Sequence, residues 1–369
     1  MTIWSAPSPA SSDFMPEFTS SVPVSHARAV RIWLFCVAAM ILLTLVVGGA
    51  TRLTESGLSI VEWRPGTGVL PPITESAWQV ELEKYRTIAQ YREINRGMSL
   101  DQFKVIYLWE WSHRLLARAT GAVFLLPFLF FLWRGYIPRG LKLRLWLIFA
   151  GGGALGAVGW WMVSSGVTGN LTSVSQYRLA FHLTLATAVY AAVLWTAQQL
   201  APRTTASDAA STAPAGPRRG ALLIALLILV QVYLGALVAG LDAGMVYNTW
   251  PLIDGAVVPS AARLWFIEPA WRNLFENTLT VQFNHRMLAY ALLLLSLWHV
   301  YAVRRSRQGE TGAVVLAAGM VAQAVLGIVT LLHQTPLSLA LAHQFLGIVV
   351  LSIAVVHAER LSRRAKPAV

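Results

Sequence analysis

Four of the eight histidines stand at matching places along the chain: His113, His182, His285 and His343. Each falls near the start of an apolar stretch, in the segments EWSHRLLARATG, RLAFHLTLA, VQFNHRMLAY and LALAHQFLG. Ionisable groups inside membrane spans are uncommon and usually functional. Two neutral imidazoles facing each other across a helix bundle suit the axial positions of a six-coordinate haem iron. The arithmetic gives two such pairs, His113 with His182 and His285 with His343. Zinc is the competing metal, but it favours tetrahedral sites with compact ligand spacing. The reading without chemistry is that each histidine packs in a polar rim, hydrogen-bonded to a neighbour.

Glu110 is the only acidic residue in any of the expected spans. It lies three residues before His113, so a helix puts both on one face, separated by a rise of about 4.5 Å. The equivalent residue ahead of His285 is Gln282. This asymmetry predicts a division of labour, with a reactive site in the first half and a fixed cofactor in the second. The structural alternative is that Glu110 pairs with Arg114 or Arg178. Arg52, Arg114, Arg118, Arg178 and Arg286 stand near span ends, where guanidinium groups suit carboxylates such as haem propionates. They equally suit snorkelling or pairing with loop acids. Of the other histidines, His26 and His357 are expected to be solvated and His299 to be packed or interfacial. His333 is a candidate for contact with a haem edge.

The elements that must carry these residues are membrane helices. Of the 369 residues, 56% are apolar and 12% charged, against roughly 25% charged in ordinary soluble domains, and mean hydropathy is +0.56. Eight apolar stretches, near 31–50, 108–133, 143–163, 178–200, 220–241, 283–303, 312–332 and 338–358, reach the ~20 residues needed to cross a bilayer. Backbone groups in lipid must be satisfied within their own segment, so the spans are helices. The expected fold is an all-α integral membrane protein, its eight helices forming two pseudo-symmetric four-helix bundles. A cytoplasmic tail over 1–30, bundles over 31–203 and 220–358, a linker over 204–219 and a cytoplasmic tail over 359–369 complete the organisation. The linker is marked by TTASDAASTAPAGP.

Charge sets the sidedness. The connections after spans 2, 4 and 6 carry Arg134, Arg139, Lys142 and Arg144; Arg203, Arg218 and Arg219; and Arg304, Arg305 and Arg307. On the other side, 51–104 balances seven basic against seven acidic residues, and 242–282 carries two against four. Both termini are therefore expected in the cytoplasm of a bacterial inner membrane. The net charge of +12 then faces anionic lipid head groups, and nucleic acid is not needed to explain it. Residues 1–27 lack the apolar run of a cleavable signal. The single cysteine, Cys36, excludes an internal disulfide or a cysteine-ligated cluster within one chain.

The halves also repeat one another. Each begins with an apolar helix running into a Gly-containing outer loop, VVGGATRLTESGLSIVEWRPGTG and ALVAGLDAGMVYNTWPLIDG. Four spans is an even number, so the halves share an orientation about an axis along the membrane normal.

The segments GGATRLTESGLSIVEWRPGTGVLPP, FKVIYLWEWSHRLLAR, GWWMVSSGV, GLDAGMVYNTWPL, TVQFNHRMLAY and LAHQFLG resemble the haem A synthase family over about residues 31–358. The first loop, with ELEKYR and NRGMSLDQF and without a cysteine pair, is similar to the mitochondrial and proteobacterial branch. Ala117 stands where Gly is common in the family. The resemblance implies oxidation of a methyl group of haem O to a formyl group, giving haem A for terminal oxidases. It implies a resident haem B on His285 and His343, with His113 and His182 around the substrate haem and Glu110 as the acid beside it. Arg286 and His333 are the further expected cofactor contacts. Functional cooperation with a haem O synthase and an aa3-type oxidase is implied, and a homo-oligomer is compatible. A bis-haem electron-transfer protein that makes no product is the alternative from another class. A transporter or haem-delivery protein is the third, though its polar groups should then lie near the midplane.

Overall fold

The computed structural model describes residues 24–202, 215–306 and 309–363. In chain order, α1 (Val24–Leu53) is followed by a long loop with the short helices α2 (Glu75–Arg86) and α3 (Ala89–Glu93). Then come α4 (Leu100–Trp133), α5 (Arg139–Val167), α6 (Gln176–Gln199) and α7 (Ala215–Gly240). A second long loop carries α8 (Ala243–Val246), α9 (Ala261–Leu264) and α10 (Asn273–Glu276), and α11 (Thr278–Ser306), α12 (Glu310–Leu332) and α13 (Leu337–Ser362) follow. Eight of these helices are long and apolar enough to cross a membrane, matching the eight expected spans. At 1.5 Å per residue the shortest rises roughly 35 Å. Among the described residues there is no β-strand beyond an isolated bridge between Ile253 and Ala256.

Local sequence fixes the helix ends. Ser99 caps α4 in a reciprocal box with Gln102, and Thr74 caps α2 by accepting from the Ala77 N–H. Gly135, at φ +68°, turns the chain between α4 and α5. Two expectations change here. First, α1 starts at Val24 rather than 31, so His26 is helical and stacks on Tyr136 with ring centroids 3.7 Å apart. It is not simply solvated. Residues 1–23 of the expected tail lie outside the described residues. Second, α7 takes residues 215–219 from the expected linker, because Pro217 in a first helical turn forfeits only an N–H that would be unpaired anyway. Residues 204–214 lie outside the described residues, as do 364–369 of the C-terminal tail.

The helices α7, α11, α12 and α13 pack side by side in a closed ring. The ring of α1, α4, α5 and α6 has one weak side: α4 and α5 meet far less than their counterparts α11 and α12. Between the rings, α6 lies against α7 and α13, and α1 against α13. Polar staples cross this seam. The Gln344 amide donates to the Leu45 carbonyl at 2.7 Å, Tyr190 and Ser352 share a hydrogen bond of 2.8 Å, and Tyr177 donates to Glu276 at 2.7 Å. One apolar core, including Val37, Phe128, Tyr190, Ile224 and Leu351, runs through both rings.

Candidate haem-ligand sites

Each of the four matched histidines is seated against a glycine of the helix that precedes it in its own hairpin. A Cβ at Gly48 of α1 would stand 2.6 Å from His113 Cε1, and one at Gly159 of α5 would stand 3.2 Å from His182 Cε1. A Cβ at Gly235 of α7 would stand 3.1 Å from His285 Cε1, and one at Gly327 of α12 would stand 2.8 Å from His343 Cε1. A side chain at any of these positions would crowd the imidazole, most of all at Gly48 and Gly327. His182, His285 and His343 lie within about two turns of the starts of α6, α11 and α13. His113 lies farther along the long α4, but it packs on Gly48 near the C-terminal end of α1, and Gly49 meets Gln344 beside His343, so all four lie near the same ends of the spans.

The support around the two pairs differs. In the second half, the Gln231 amide nitrogen donates to the His285 carbonyl at 3.0 Å and lies over the ring, 3.1 Å from Nδ1 and 3.3 Å from Nε2. Gln323 repeats this on His343, at 3.0 Å from the carbonyl and 3.2 Å from Nδ1. In the first half, Nδ1 of His113 and Nδ1 of His182 are buried and no side-chain amide reaches them. The glutamines and seat glycines were not singled out in the sequence, although QVYLG and QAVLG (231–235 and 323–327) repeat the signal.

Near each pair, the second helix of the ring grips the long loop before it with an i,i+4 couple. Glu110, 3% exposed, accepts from Ser59 Oγ and the Ile60 N–H at 2.8 Å each and from Arg114 at 2.6 Å. Arg114 also donates to the carbonyls of Ile60 and Glu62. In the other ring the Gln282 amide donates to the carbonyls of Ala243 and Tyr247, and its Oε1 accepts from Arg286 at 3.0 Å. Arg286 in turn reaches the carbonyls of Tyr247 and Leu252. The couple Glu110–Arg114 thus has its counterpart in Gln282–Arg286, with a carboxylate where the other has an amide.

The remaining arginines are also engaged with protein. Arg118 donates to the carbonyls of Arg64, Pro65 and Thr67. Arg178 donates to the Trp161 carbonyl at 2.6 Å and lies over that ring. Arg52 joins Asp242 at 3.3 Å, tying the C-terminal end of α1 to that of α7. His333 is exposed at the end of α12 and bonds the Val329 carbonyl. His357 corrects another expectation: it is 3% exposed and meets the fully buried His299 nitrogen to nitrogen, Nε2 to Nε2, at 2.9 Å. The basic neighbours of His357 suggested solvent, but packing of α13 against α12, with Gly312 beside the ring, encloses it.

Sequence comparison matches this arrangement to known proteins. A family model described as cytochrome oxidase assembly protein covers residues 31–355. A heme A synthase of Rhodopseudomonas palustris (strain HaA2) is 59% identical over 341 residues, 91% of each chain. A heme A synthase of Bradyrhizobium diazoefficiens is 57% identical over 348 residues, 94% of this chain and 95% of its own. With eight spans, four histidines on glycine seats and a match over nearly its whole length, the chain belongs to the COX15-CtaA family of cytochrome oxidase assembly proteins.

Proposed function

We propose that the protein is a haem A synthase, an oxidoreductase that converts a methyl substituent of haem O to the formyl group of haem A for terminal oxidases. Family membership supports the reaction class. Within the molecule, one observation carries the assignment of roles: Glu110 stands where the otherwise corresponding site has Gln282. A carboxylate can exchange a proton at physiological pH, and an amide cannot. The ring of α1, α4, α5 and α6 is accordingly the reactive bundle, and the ring of α7, α11, α12 and α13 the holding bundle.

The donor set in the second bundle fits a resident haem B. Two imidazoles stand on glycine seats, each ring steadied by a glutamine. His285 and His343 would hold the iron, and Arg286 at the outer edge supplies positive charge toward propionates. When bound, that haem supplies an electron carrier; the porphyrin brings the redox chemistry and the protein brings position and dryness. In the first bundle His113 and His182 hold and orient the substrate haem. The weak seam between α4 and α5 gives its farnesyl chain a way in from lipid. Glu110 orients a water and takes up its proton as the water oxygen bonds to the methyl carbon; each of the two hydroxylations releases two protons, and two electrons to an acceptor outside the protein, and loss of water from the resulting diol leaves the aldehyde. Ser59, the Ile60 N–H and Arg114 fix the carboxylate for this task.

Both termini are assigned to the cytoplasmic side of a bacterial inner membrane, from the arginines between spans. A haem O synthase and an aa3-type oxidase are the expected functional partners, and self-association is compatible. The test is expression with and without a haem O synthase, followed by chromatography and mass spectrometry of extracted haems. Haem A formed only with the intact protein and a haem O supply supports the assignment. Bound haem B without haem A, despite ample haem O and a competent electron acceptor, would transfer the protein to the electron-carrier class.

A further inference from the structure

The first ring stays open along one stretch of its weak side. Helices α4 and α5 run antiparallel and touch toward their connecting turn, Phe128 against Trp146 and Phe124 against Phe149, with ring centroids 4.9 and 5.7 Å apart. Helical spacing carries the same facing stripes onward to Gly121 and Ala117 of α4 and to Gly153 and Gly156 of α5. Small residues at facing positions usually let two helices close. Here they do not. A Cβ at Gly121, Gly153 or Gly156 would meet nothing within 4 Å, and Ala117 is exposed. No residue of α4 between Glu110 and Phe124 is buried, nor any of α5 between Ile148 and Val163. Beyond this stretch the loop segment 60–67 bridges the gap. Arg114 and Arg118 of α4 hold its carbonyls, and its Trp63 stacks on Trp160 of α5 at 6.2 Å between centroids.

The opening thus has an aromatic pair at one end, a strap of loop at the other and almost no side chain between, over about two helical turns or roughly 11 Å. Its α4 stripe continues through Arg114 to Glu110. Beside Trp160, Gly159 seats His182, whose Nδ1 is buried and unpartnered. One side of the opening therefore adjoins the groups assigned to the substrate haem, and the other meets lipid. We infer that the isoprenoid chain of the substrate lies in this opening, and that Gly153 and Gly156 give it room and so select a haem that bears the chain. An apolar chain needs width and no polar partner, and any side chain at these glycines would take that width away. This rests on the assignment of the substrate haem to the first bundle, and it adds where the chain is held and which residues recognise it.

The experiment titrates the purified full-length protein, its resident haem in place, with haem O and with protohaem, which lacks the chain. Absorbance is read at one fixed detergent concentration, so that the ratio of variant to parent cancels partitioning into micelles. The variants are Gly153→Leu, Gly156→Leu and the two combined; open space at both positions and the better helix propensity of Leu let them fold. The double variant weakens haem O about 10-fold or more, the weight of roughly two buried methylene groups, and changes protohaem less than about twofold. Ala154→Leu, exposed and off the stripe that faces α4, changes neither. Equal weakening of both haems would place the glycines at the porphyrin and overturn the inference. Unchanged haem O affinity in the double variant would overturn it too, leaving the opening to membrane lipid. A parent that binds no haem beyond the resident one fails at the earlier level: the substrate-site assignment falls, and the inference with it.

Discussion

Glu110 and Gln282 hold corresponding stations, each accepting through Oε1 from an arginine four residues later, at 2.6 Å and 3.0 Å respectively. The fold already accommodates an amide at this position in one of its rings. Glu110→Gln should therefore fold, at a cost of about 1–3 kcal/mol for weakened charge-assisted hydrogen bonds. It should also abolish formation of haem A while leaving bound haem B in place. Chromatography of extracted haems beside a thermal unfolding curve separates the two effects. Full conversion by the variant would confine Glu110 to holding the loop.

Alanine at the four histidines should divide them into two classes. His285→Ala and His343→Ala lose the low-spin spectrum of the resident haem. His113→Ala and His182→Ala retain that spectrum and lose conversion. Optical spectra of the purified variants decide the matter, and equal haem loss in all four would contradict the division of roles.

The glycine seats make a graded prediction. A methyl group at Gly48 or Gly327 would lie 2.6 or 2.8 Å from an imidazole carbon, whereas at Gly159 or Gly235 the distance is 3.2 or 3.1 Å. Gly48→Ala and Gly327→Ala should cost about 1–3 kcal/mol by overpacking, and the other two less. Gly327→Ala should also lower resident haem content more than Gly235→Ala does. Thermal unfolding and haem-to-protein ratios test both orders.

The buried pair His299–His357 should behave as a coupled unit. Removing one imidazole strands the ring nitrogen of the other in a dry site. Single substitutions by Ala should thus be costly and the double substitution cheaper than their sum. A double-mutant cycle should return a coupling of about 0.5–3 kcal/mol. Additive costs would mean that the contact contributes nothing.

The outer loop carries an acid-sensitive clamp. Lys84, by its hydrogen bond at 2.9 Å, and Arg64 hold the Glu62 carboxyl below its ordinary value of 4.5. The folded value lies below the unfolded one, so the clamp contributes fully above about pH 4.5 and is lost as pH falls through the folded value. Solvent reaches Glu62, and the contribution is under about 1 kcal/mol. Proteolysis of residues 54–74 should accelerate below pH 4.5 in the parent, and Glu62→Gln should flatten that dependence.

All eight spans were legible because an apolar run of twenty residues identifies a membrane helix without knowledge of its neighbours. The matched histidines and the Glu110–Gln282 contrast were legible for a related reason: rare residue types in lipid stand out at once. Gln231, Gln323 and the seat glycines were hidden because they lie on other helices and resemble ordinary membrane-helix composition. His26 and His357 were misread as solvated because their sequence neighbours are polar or basic. Their surroundings are set by Tyr136 and His299, distant in sequence and brought near only by packing.

Because the four matched histidines lie near the same ends of the spans, a line joining the two pairs would run along the bilayer rather than across it. Moving a charge across a membrane costs about 2.3 kcal/mol per 100 mV, but a lateral step crosses none of that field. Electrons passing from the reactive bundle to the holding bundle would neither charge the membrane nor be opposed by it. Transfer between the bundles should proceed equally in energised and de-energised cells.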